Sequence, residues 1–358
     1  MKAITIGSGT VDVIVAVADA DIERMTLHNN TASFLLLEPG RKVDASSIVT
    51  RTGGGAVNAA ISLKRQGFDA AALLKLGTDH NREKIVARLR EEGIATNLIR
   101  MCETESTAVS VMIASHDRNA AIFTHRGANG FLDDDDLPPA IFAGVDLVYV
   151  TNLSNRSADC FPNIVARADE AGAFVAANPG VRQLKRKTAP FFDSLRRVDA
   201  LTLNLEEARA LLPALMERTG WERRCDRRTS PMEPVLEVEG FRLAVESFFE
   251  RLHALGPHWV TITDGVKGAH LSESGKYHFQ PAFPAEVVNT VGAGDAFAST
   301  LAGCLVRGDA TAAAARLAAR NAASVIGHID AQSGLMFLAR PKEDGSIWQV
   351  ATSGSRTE

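Results

Sequence analysis

The sequence predicts an α/β fold, in which a central, mostly parallel sheet is flanked by helices. Short apolar segments have the length of buried strands, at residues 3–6, 147–150, 173–177, 200–203 and 259–263. Helical patterns lie among them, at residues 56–65, 83–91, 158–170 and 241–255. Strands that alternate with helices form parallel sheets, because each crossover places a helix on a face of the sheet.

A second group of strand-like segments has no helical pattern between its members, at residues 11–17, 32–37, 46–51, 108–113 and 120–124. We expect these segments, within about 11–51 and 97–125, to form a small sheet that covers a cleft as a lid. A lid excludes water from a reaction. The alternative is that they extend the main sheet.

Composition limits the class of protein. The 358 residues carry a net charge of −4 and are 46% hydrophobic, which suits a large α/β domain, placed at residues 1–340. Residues 219–239, rich in Arg, Glu and Pro, are predicted to be a surface excursion, and 341–358 a poorly packed tail.

The same composition argues against several partners. The charge gives no footprint for nucleic acid or an anionic membrane, and no apolar run approaches the ~20 residues that span a bilayer. The four cysteines are scattered and form no CxxC pair, which argues against a disulfide framework or a zinc site. A reduced cytoplasmic protein is the simplest interpretation.

The most informative segment is 289–297, with the sequence NTVGAGDAF. Two glycines around an alanine lead into an apolar helix predicted at 293–306, so that backbone N–H groups and the helix dipole converge on a pocket for an anion. Asp295 lies in the first helical turn, where a carboxylate suits a base that takes a proton from an attacking hydroxyl. The alternative is an ordinary helix start with an Asp in its first turn.

Two motifs suit a polyol. Residues 53–58 (GGGAVN) open a helix, and Asn58, one turn on, can donate and accept hydrogen bonds. A structural glycine turn is the alternative, and the GxGxxG dinucleotide pattern is absent. Asp12, soon after the first strand, can accept two sugar hydroxyls, although it is equally an ordinary turn or edge residue.

Two further motifs suit a nucleotide and its metal. Asn204 and Glu207 either form a helix capping box or face the cleft, where they hold hydrated Mg²⁺ and phosphates. Residues 261–269 read as a strand, a glycine turn and a second strand, and backbone atoms near Gly265 and Gly268 either border a nucleotide or form a simple hairpin.

Taken together, residues 4–333 resemble the ribokinase-like (PfkB) carbohydrate kinase family. The matching motifs occur in the family's order, at residues 53–60 (GGGAVNAA), 126–129 (RGAN), 204–207 (NLEE), 263–269 (TDGVKGA) and 289–297 (NTVGAGDAF). The resemblance implies a small β-sheet lid over a sugar and transfer of the γ-phosphoryl group of ATP to a sugar hydroxyl, with Mg²⁺.

The resemblance also implies roles for single residues. Asp295 is the base, and the anion hole consists of Gly292, Ala293 and Gly294. The sugar contacts are Asp12, Gly54, Gly55, Asn58 and Asn129. The nucleotide side comprises Asn204, Thr263, Gly265, Gly268 and Asn321, and Glu207 holds Mg²⁺ through water.

One position departs from the family pattern. Many members have Asp, which in several helps to bind a monovalent cation, where this chain has Asn289. An amide oxygen can still ligate K⁺, but one charge is lost. For Asp295, we expect the helix start to lower the pKa.

A sugar kinase is therefore the leading hypothesis, and three alternatives stay open. A nucleoside kinase can use the same scaffold, and a non-catalytic sugar- or nucleotide-binding relative would lack turnover. A Rossmann dehydrogenase is the weakest, because the dinucleotide pattern fails. An exposed lid sheet also suggests a homodimer.

Overall fold

The computed structural model describes residues 1–17, 23–26, 33–36, 40, 42–114, 120–186, 188–220, 235–238, 241–339 and 349–351. Its strands are β1 (Lys2–Ile6), β2 (Thr10–Val17), β3 (Glu23–Thr26), β4 (Ser33–Leu36), β5 (Ala45–Gly53), β6 (Asp69–Leu73), β7 (Lys75–Leu76), β8 (Arg100–Met101), β9 (Ala108–Ala114), β10 (Ala120–His125), β11 (Leu147–Thr151), β12 (Phe174–Asn178), β13 (Ala200–Asn204), β14 (Val235–Val238), β15 (Phe241–Ala244), β16 (Trp259–Thr263), β17 (Gly268–Glu273), β18 (Lys276–Pro281), β19 (Phe337–Ala339) and β20 (Gln349–Ala351). Its α-helices are α1 (Gly55–Arg65), α2 (His80–Glu91), α3 (Phe161–Glu170), α4 (Val181–Arg186), α5 (Thr188–Ser194), α6 (Leu205–Thr219), α7 (Val245–His253), α8 (Ala293–Leu305) and α9 (Thr311–Ile326).

The predicted central sheet is confirmed. It has eight strands in the order β18-β17-β16-β13-β12-β11-β1-β6. The strands from β16 to β6 run parallel, and the hairpin of β17 and β18 completes one edge in antiparallel pairing. Strand order reverses at β1, and the carboxyl ends of strands beside such a point are where open α/β sheets bind ligands.

The sheet is buried on both faces, because successive side chains point to opposite sides of a strand. Ile4 and Val148 belong to a core that also contains Ile164 of α3 and Leu211 of α6. The residues next to them in sequence face the other core, with Ala3, Leu147 and Tyr149 packed among side chains of α1, α8 and α9. The strand-helix alternation seen in the sequence therefore reports two helical layers.

The small second sheet is also confirmed, and the alternative that its segments extend the main sheet is wrong. Its order is β10-β9-β2-β5. The chain enters it from β1 through residues 7–9 and leaves it from β5 through Gly54 into α1. One expected member differs: within 32–37, β4 pairs with β3, and not with this sheet among the described residues.

Two sequence predictions in the region 219–255 need correction. The helix expected at 241–255 starts only at α7, because Phe241–Ala244 is a strand that pairs with Val235–Val238. Residues 235–238 are therefore not part of a surface excursion: Leu236 is fully buried in the core, and burial of its side chain favours the hairpin. Residues 221–234 lie outside the described residues.

The C-terminal boundary and one helix also differ from expectation. Gln349–Ala351 pairs with Phe337–Ala339, so the tail contributes a strand across the boundary set at 340, and the remainder of 341–358 lies outside the described residues. The helix expected at 158–170 begins as a 3₁₀ turn over Asn155–Cys160 before α3. Across the described part of the chain, no helix is long and apolar enough to cross a membrane.

Candidate functional site

The turn before α8 has the geometry of an anion-binding helix start. Gly292 is the N-cap residue and adopts a left-handed φ of 86°. A Cβ added at Gly292 would lie 2.3 Å from Cβ of Ala331, so the turn requires glycine for its conformation and for its packing. A Cβ added at Gly294 would meet nothing within 4 Å, so that residue faces open space. The first N–H groups of α8 lack intrahelical acceptors. That of Ala293 makes a long hydrogen bond of 3.4 Å to the carbonyl oxygen of Thr290, and Gly294 next to it lines the cleft.

Asp295 lies in the first turn of α8 and contacts α1. Its Oδ2 accepts a hydrogen bond of 2.8 Å from Nδ2 of Asn58. Burial raises the pKa of Asp295, the negative charge of Asp12 raises it further, and the hydrogen bond from Asn58 opposes both. The expectation that the helix start lowers this pKa is therefore wrong, because loss of hydration outweighs the local dipole.

Asp12 lies within β2 of the second sheet. Its Oδ1 accepts a hydrogen bond of 2.5 Å from Oγ of Ser110 on β9. A Cβ at Gly53 would lie 2.1 Å from Oδ2 of Asp12, so the carboxylate packs against the end of β5. Burial raises the pKa of Asp12. The structure thus brings Asp12 into electrostatic range of Asp295, a residue of the main body.

The glycine turn before α1 packs closely against protein backbone. Gly54 has a φ of 94°, and a Cβ there would lie 2.5 Å from the carbonyl oxygen of Ser8. Gly55 is buried, and its Cβ would lie 2.8 Å from Oγ1 of Thr151. The structural alternative therefore explains Gly55, whereas Asn58, one turn into α1, aims its side chain at Asp295.

Asn129 holds the junction between the two sheets. Its Oδ1 accepts from the amide nitrogen of Gly9 at 3.1 Å, and its Nδ2 donates to the carbonyl oxygen of Gly9 at 3.0 Å. Both ends of the side-chain amide are thus engaged by the segment that links β1 to β2. In this geometry the side-chain amide of Asn129 holds that segment in place, and its contact with a sugar stays a prediction.

Asn204 and Glu207 form the capping box that was one of two alternatives. The amide nitrogen of Asn204 donates to Oε2 of Glu207 at 2.8 Å, and that of Glu207 donates to Oδ1 of Asn204 at 2.8 Å. Burial raises the pKa of Glu207 to about 7, and the charges of Glu206 and Asp295 add to that effect. A cap alone does not explain a carboxyl group buried within electrostatic range of Asp295.

The residues near Glu207 fit a hydrated divalent cation but not a protein-enclosed one. Among the described residues, no cluster of three or more His, Cys, Asp or Glu side chains could hold a metal. Mg²⁺ commonly takes one or two carboxylates together with water and substrate phosphates, so a single buried carboxylate is a sufficient protein donor.

A cavity of about 570 Å³ adjoins the start of α8. It is lined by Thr263, Gly265 and Gly268 of the β16–β17 hairpin, as expected. It is also lined by residues 282–285, 287 and 290, by 293, 294 and 297 at the start of α8, and by 319, 322, 323 and 326 of α9. The small apolar side chains suit a flat base, and Ala293 and Gly294 place the helix start within the same cavity, so it fits a nucleoside triphosphate.

Two residues of this region differ from their predicted roles or were missed. Asn321 is fully buried: its Nδ2 donates to Oγ1 of Thr300 at 2.8 Å, and its Oδ1 accepts from the amide nitrogen of Met336 at 2.9 Å. Its side chain therefore joins α9 to its neighbours and does not line the cavity. Phe283 was missed, although the proline-rich segment after β18 was a signal for a loop that ends beside the cleft.

The side chain of Asn289 is engaged by protein groups at both ends. Its Oδ1 accepts from the amide nitrogen of Val291 at 3.0 Å, and its Nδ2 donates to the carbonyl oxygen of Ile329 at 2.8 Å. The carbonyl of Ile329 can only accept, so the amide nitrogen must face it. These residues do not fit a monovalent cation, because a donor lies where a ligand oxygen would be required.

Gln332 is a residue of the site that no sequence motif marked. It is 3% exposed, and its Nε2 donates to Oδ1 of Asn58 at 3.1 Å. Because it is 274 positions from Asn58 in the chain, no local pattern could have revealed this contact.

Comparison with known proteins identifies the family and similar folds. The model of the pfkB family of carbohydrate kinases matches residues 15–336. The ribokinase of Bacillus subtilis is 27% identical over 306 residues, which are 83% of this chain and 88% of that protein. The structure of Arabidopsis thaliana ribokinase complexed with ribose and ATP superposes with a TM-score of 0.68 at 21% identity, over 92% of this chain and 94% of that one. The nucleoside kinase of Burkholderia thailandensis in complex with inosine gives a TM-score of 0.68 at 19% identity, over 93% and 94%.

Proposed function

The chain belongs to the pfkB family of carbohydrate kinases and is a phosphotransferase that acts on an alcohol group, and we propose that it phosphorylates a small sugar with ATP. The observation that carries this proposal is the position of Asp295. Asp295 lies in the first turn of α8, where its carboxylate accepts a hydrogen bond from Asn58 of α1. The same turn of α8 lines the cavity that fits a nucleotide. A proton acceptor and a phosphate-binding helix start therefore lie side by side.

The acceptor side is formed by Asp12 and Asn58. Asp12 keeps free acceptor capacity beyond its hydrogen bond from Ser110, so it can accept from sugar hydroxyls. Asp12 lies in β2, which follows the carboxyl end of β1 after residues 7–9, and we assign the second sheet as a lid on this side of the site. Gly54 allows the close approach of Ser8 and Gly9 to the turn before α1, which closes this side.

In the reaction, the acceptor oxygen forms a bond to the γ-phosphorus as the bond from that phosphorus to the leaving oxygen of ADP breaks. The free carboxylate oxygen of Asp295 takes the acceptor's proton. The N–H groups of Ala293 and Gly294, behind the Gly292 turn, face the charge on the transferred group. Because such transition states are loose, positioning and charge neutralisation supply most of the catalysis, and the base acts late.

Glu207 would hold Mg²⁺ through water, and Asn204 fixes the Glu207 side chain through the capping box. The ion, when bound, neutralises charge on the nucleotide phosphates. The amide of Asn289 ties the Val291 turn to Ile329 directly, with no need for a cation between them. We therefore expect no requirement for K⁺.

A nucleoside kinase is the second candidate, because the nucleoside kinase of Burkholderia thailandensis shares the fold at a TM-score of 0.68. A panel of free sugars, sugar phosphates and nucleosides, with ATP and Mg²⁺ and with or without K⁺, separates the two. Phosphorylation of one free sugar well above the nucleosides supports the proposal, and the opposite order supports the second candidate. Absence of turnover on the whole panel would instead indicate a binding relative without catalysis.

We also infer a homodimer through the lid. Ile48 of β5 and Ile122 and Phe123 of β10 are exposed on the two edge strands of the second sheet, with exposures of 64%, 53% and 57%. Exposed apolar edge strands commonly pair with a second copy. Sedimentation should give a dimer for the unmodified chain and a monomer for Phe123→Lys; a monomer for both contradicts the inference.

A further inference from the structure

A continuous row of hydrogen bonds runs from the surface of α2 to Asp295. Nε of Arg88 donates to Oε1 of Gln332 at 3.1 Å. Nε2 of Gln332 donates to Oδ1 of Asn58 at 3.1 Å, and Nδ2 of Asn58 donates to Oδ2 of Asp295 at 2.8 Å. Two side-chain amides thus lie in series between a guanidinium group and a carboxylate.

The groups that flank this row of hydrogen bonds determine how the two side-chain amides are oriented, because some of them can only donate and others can only accept. A guanidinium group only donates, so Gln332 must turn its oxygen toward Arg88. The carbonyl oxygen of Thr52 only accepts, and it receives a hydrogen bond of 2.8 Å from Nε2 of Gln332. With its nitrogen placed in this way, Gln332 can satisfy only the oxygen of Asn58, and the nitrogen of Asn58 is left to face Asp295.

Gln332 is itself held firmly. Its backbone N–H donates to Oδ1 of Asp330 at 2.8 Å, and its backbone carbonyl oxygen accepts from Nη1 of Arg65 at 3.1 Å. Oγ1 of Thr52, on the last part of β5, donates to Oε1 at 3.2 Å. Every polar group of this buried residue has a partner, and one of these partners belongs to the second sheet.

We propose that Gln332 is a positioning residue, which orients the amide of Asn58 so that Asp295 always receives a donor. This inference rests on the proposed role of Asp295 as the base. Reversal of Asn58 would place an amide oxygen against the carboxylate, and the two would repel. Gln332 also hydrogen-bonds to Thr52 of β5, so it connects the second sheet to Asp295 through Asn58.

The donor matters because other groups near Asp295 oppose its ionised form. Burial is the largest cause that raises the pKa of Asp295, and the negative charge of Asp12 on β2 raises it further. Glu207 on α6 lies within electrostatic range of it, and so does Tyr149 on β11, a phenol that stays neutral. The hydrogen bond from Asn58 is the contribution that lowers the pKa. Loss of this hydrogen bond therefore raises the pKa of Asp295, and the acid limb of the pH profile of kcat moves to higher pH.

The test compares Gln332→Glu with Gln332→Met in the full chain. Glu keeps the shape and the oxygen that faces Arg88, but it has no N–H for Asn58, so it favours the reversed amide. Met removes the polar groups and leaves Asn58 free. We expect kcat to fall about tenfold in Gln332→Met and further in Gln332→Glu, with the acid limb displaced upward by about one pH unit in both.

The matched control is Glu91→Gln, which alters an exposed partner of Arg88 without touching Gln332, and it should leave kcat and the acid limb unchanged. Thermal midpoints separate folding from function, and if Gln332→Glu does not fold, Gln332→Met decides. A folded Gln332→Met variant with the kcat and acid limb of the unmodified chain overturns the inference. Absence of turnover by the unmodified chain would mean that the proposed function has failed, which is a different outcome.

Discussion

Asn58 of α1 and Asp295 of α8 are joined by a hydrogen bond of 2.8 Å, although 237 positions separate them in the chain. The bond crosses between the helix that follows the second sheet and the helix that begins at the anion-binding turn. It brings the acceptor side of the site and the proton acceptor into direct contact.

The first prediction concerns the donor in this pair. Asn58→Asp replaces an N–H donor with a second carboxylate beside Asp295, so one of the two carboxyl groups must hold a proton. We expect kcat at pH 7 to fall at least about a hundredfold and the acid limb of its pH profile to move upward. Asn97→Asp adds the same charge at an exposed position and should have no effect. An unchanged pH profile of kcat in Asn58→Asp would contradict the role of Asn58 as the donor to Asp295.

The second prediction concerns Glu207 and stability in the absence of ligands. The pKa of Glu207 in the folded protein, about 7, lies above its ordinary value of 4.5. Between these values the folded state binds more protons than the unfolded state, so this residue lowers the free energy of unfolding as pH rises. Glu207→Gln retains an oxygen for the capping box but loses the charge.

Denaturant unfolding of Glu207→Gln should therefore show greater stability than the unmodified chain at pH 8, by up to about 3 kcal/mol, and little difference at pH 5. The same variant should need more Mg²⁺ for half-maximal activity. Glu217→Gln, at an exposed position near the end of the same helix, is the control. Equal stability at both pH values, or an unshifted Mg²⁺ titration, would contradict the corresponding role of Glu207.

The third prediction concerns Asn289 and K⁺. The unmodified chain should have the same kcat in potassium and in tetramethylammonium buffers. In Asn289→Asp, a carboxylate oxygen would face the carbonyl oxygen of Ile329, and a cation would be needed between them. We expect this variant to lose activity without K⁺ and to regain it with K⁺. Strong stimulation of the unmodified chain by K⁺ would show that Asn289 ligates a cation after all.

The fourth prediction compares two glycines of the anion-binding turn. Gly292→Ala meets Ala331 and a left-handed φ, so it should lower the free energy of unfolding by at least about 2 kcal/mol. Gly294→Ala adds a methyl group in open space within a helix, and stability should rise by up to about 1 kcal/mol. The same methyl group should nevertheless weaken ATP binding, measured by titration calorimetry. Undiminished ATP affinity in Gly294→Ala would place the phosphates elsewhere.

Sequence patterns predicted the fold where local signals report burial. The apolar run at 147–150 lies in β11, and the segment 289–297 contains the turn before α8 and the start of that helix. The pattern failed at Phe241–Ala244, because its apolar spacing continues smoothly into α7, and only pairing with Val235–Val238 distinguishes the strand.

The site was predicted less completely, for a related reason. Asp295 and Asn58 lie in glycine-rich motifs that carry a local signature, whereas Gln332 acts through contacts with Asn58, Thr52 and Arg88 that only the folded chain creates. The pKa of Asp295 was predicted in the wrong direction because the helix start is visible in the sequence and the burial is not.

Steady-state and binding measurements on Asp295→Asn test the central claim most directly. Asn keeps the shape of the side chain and an oxygen for Asn58, but it cannot take the acceptor's proton. We expect kcat to fall about a hundredfold to ten-thousandfold, with the Kd for ATP within about threefold of that of the unmodified chain. A folded Asp295→Asn variant that keeps the kcat of the unmodified chain would contradict the role of Asp295 as the base.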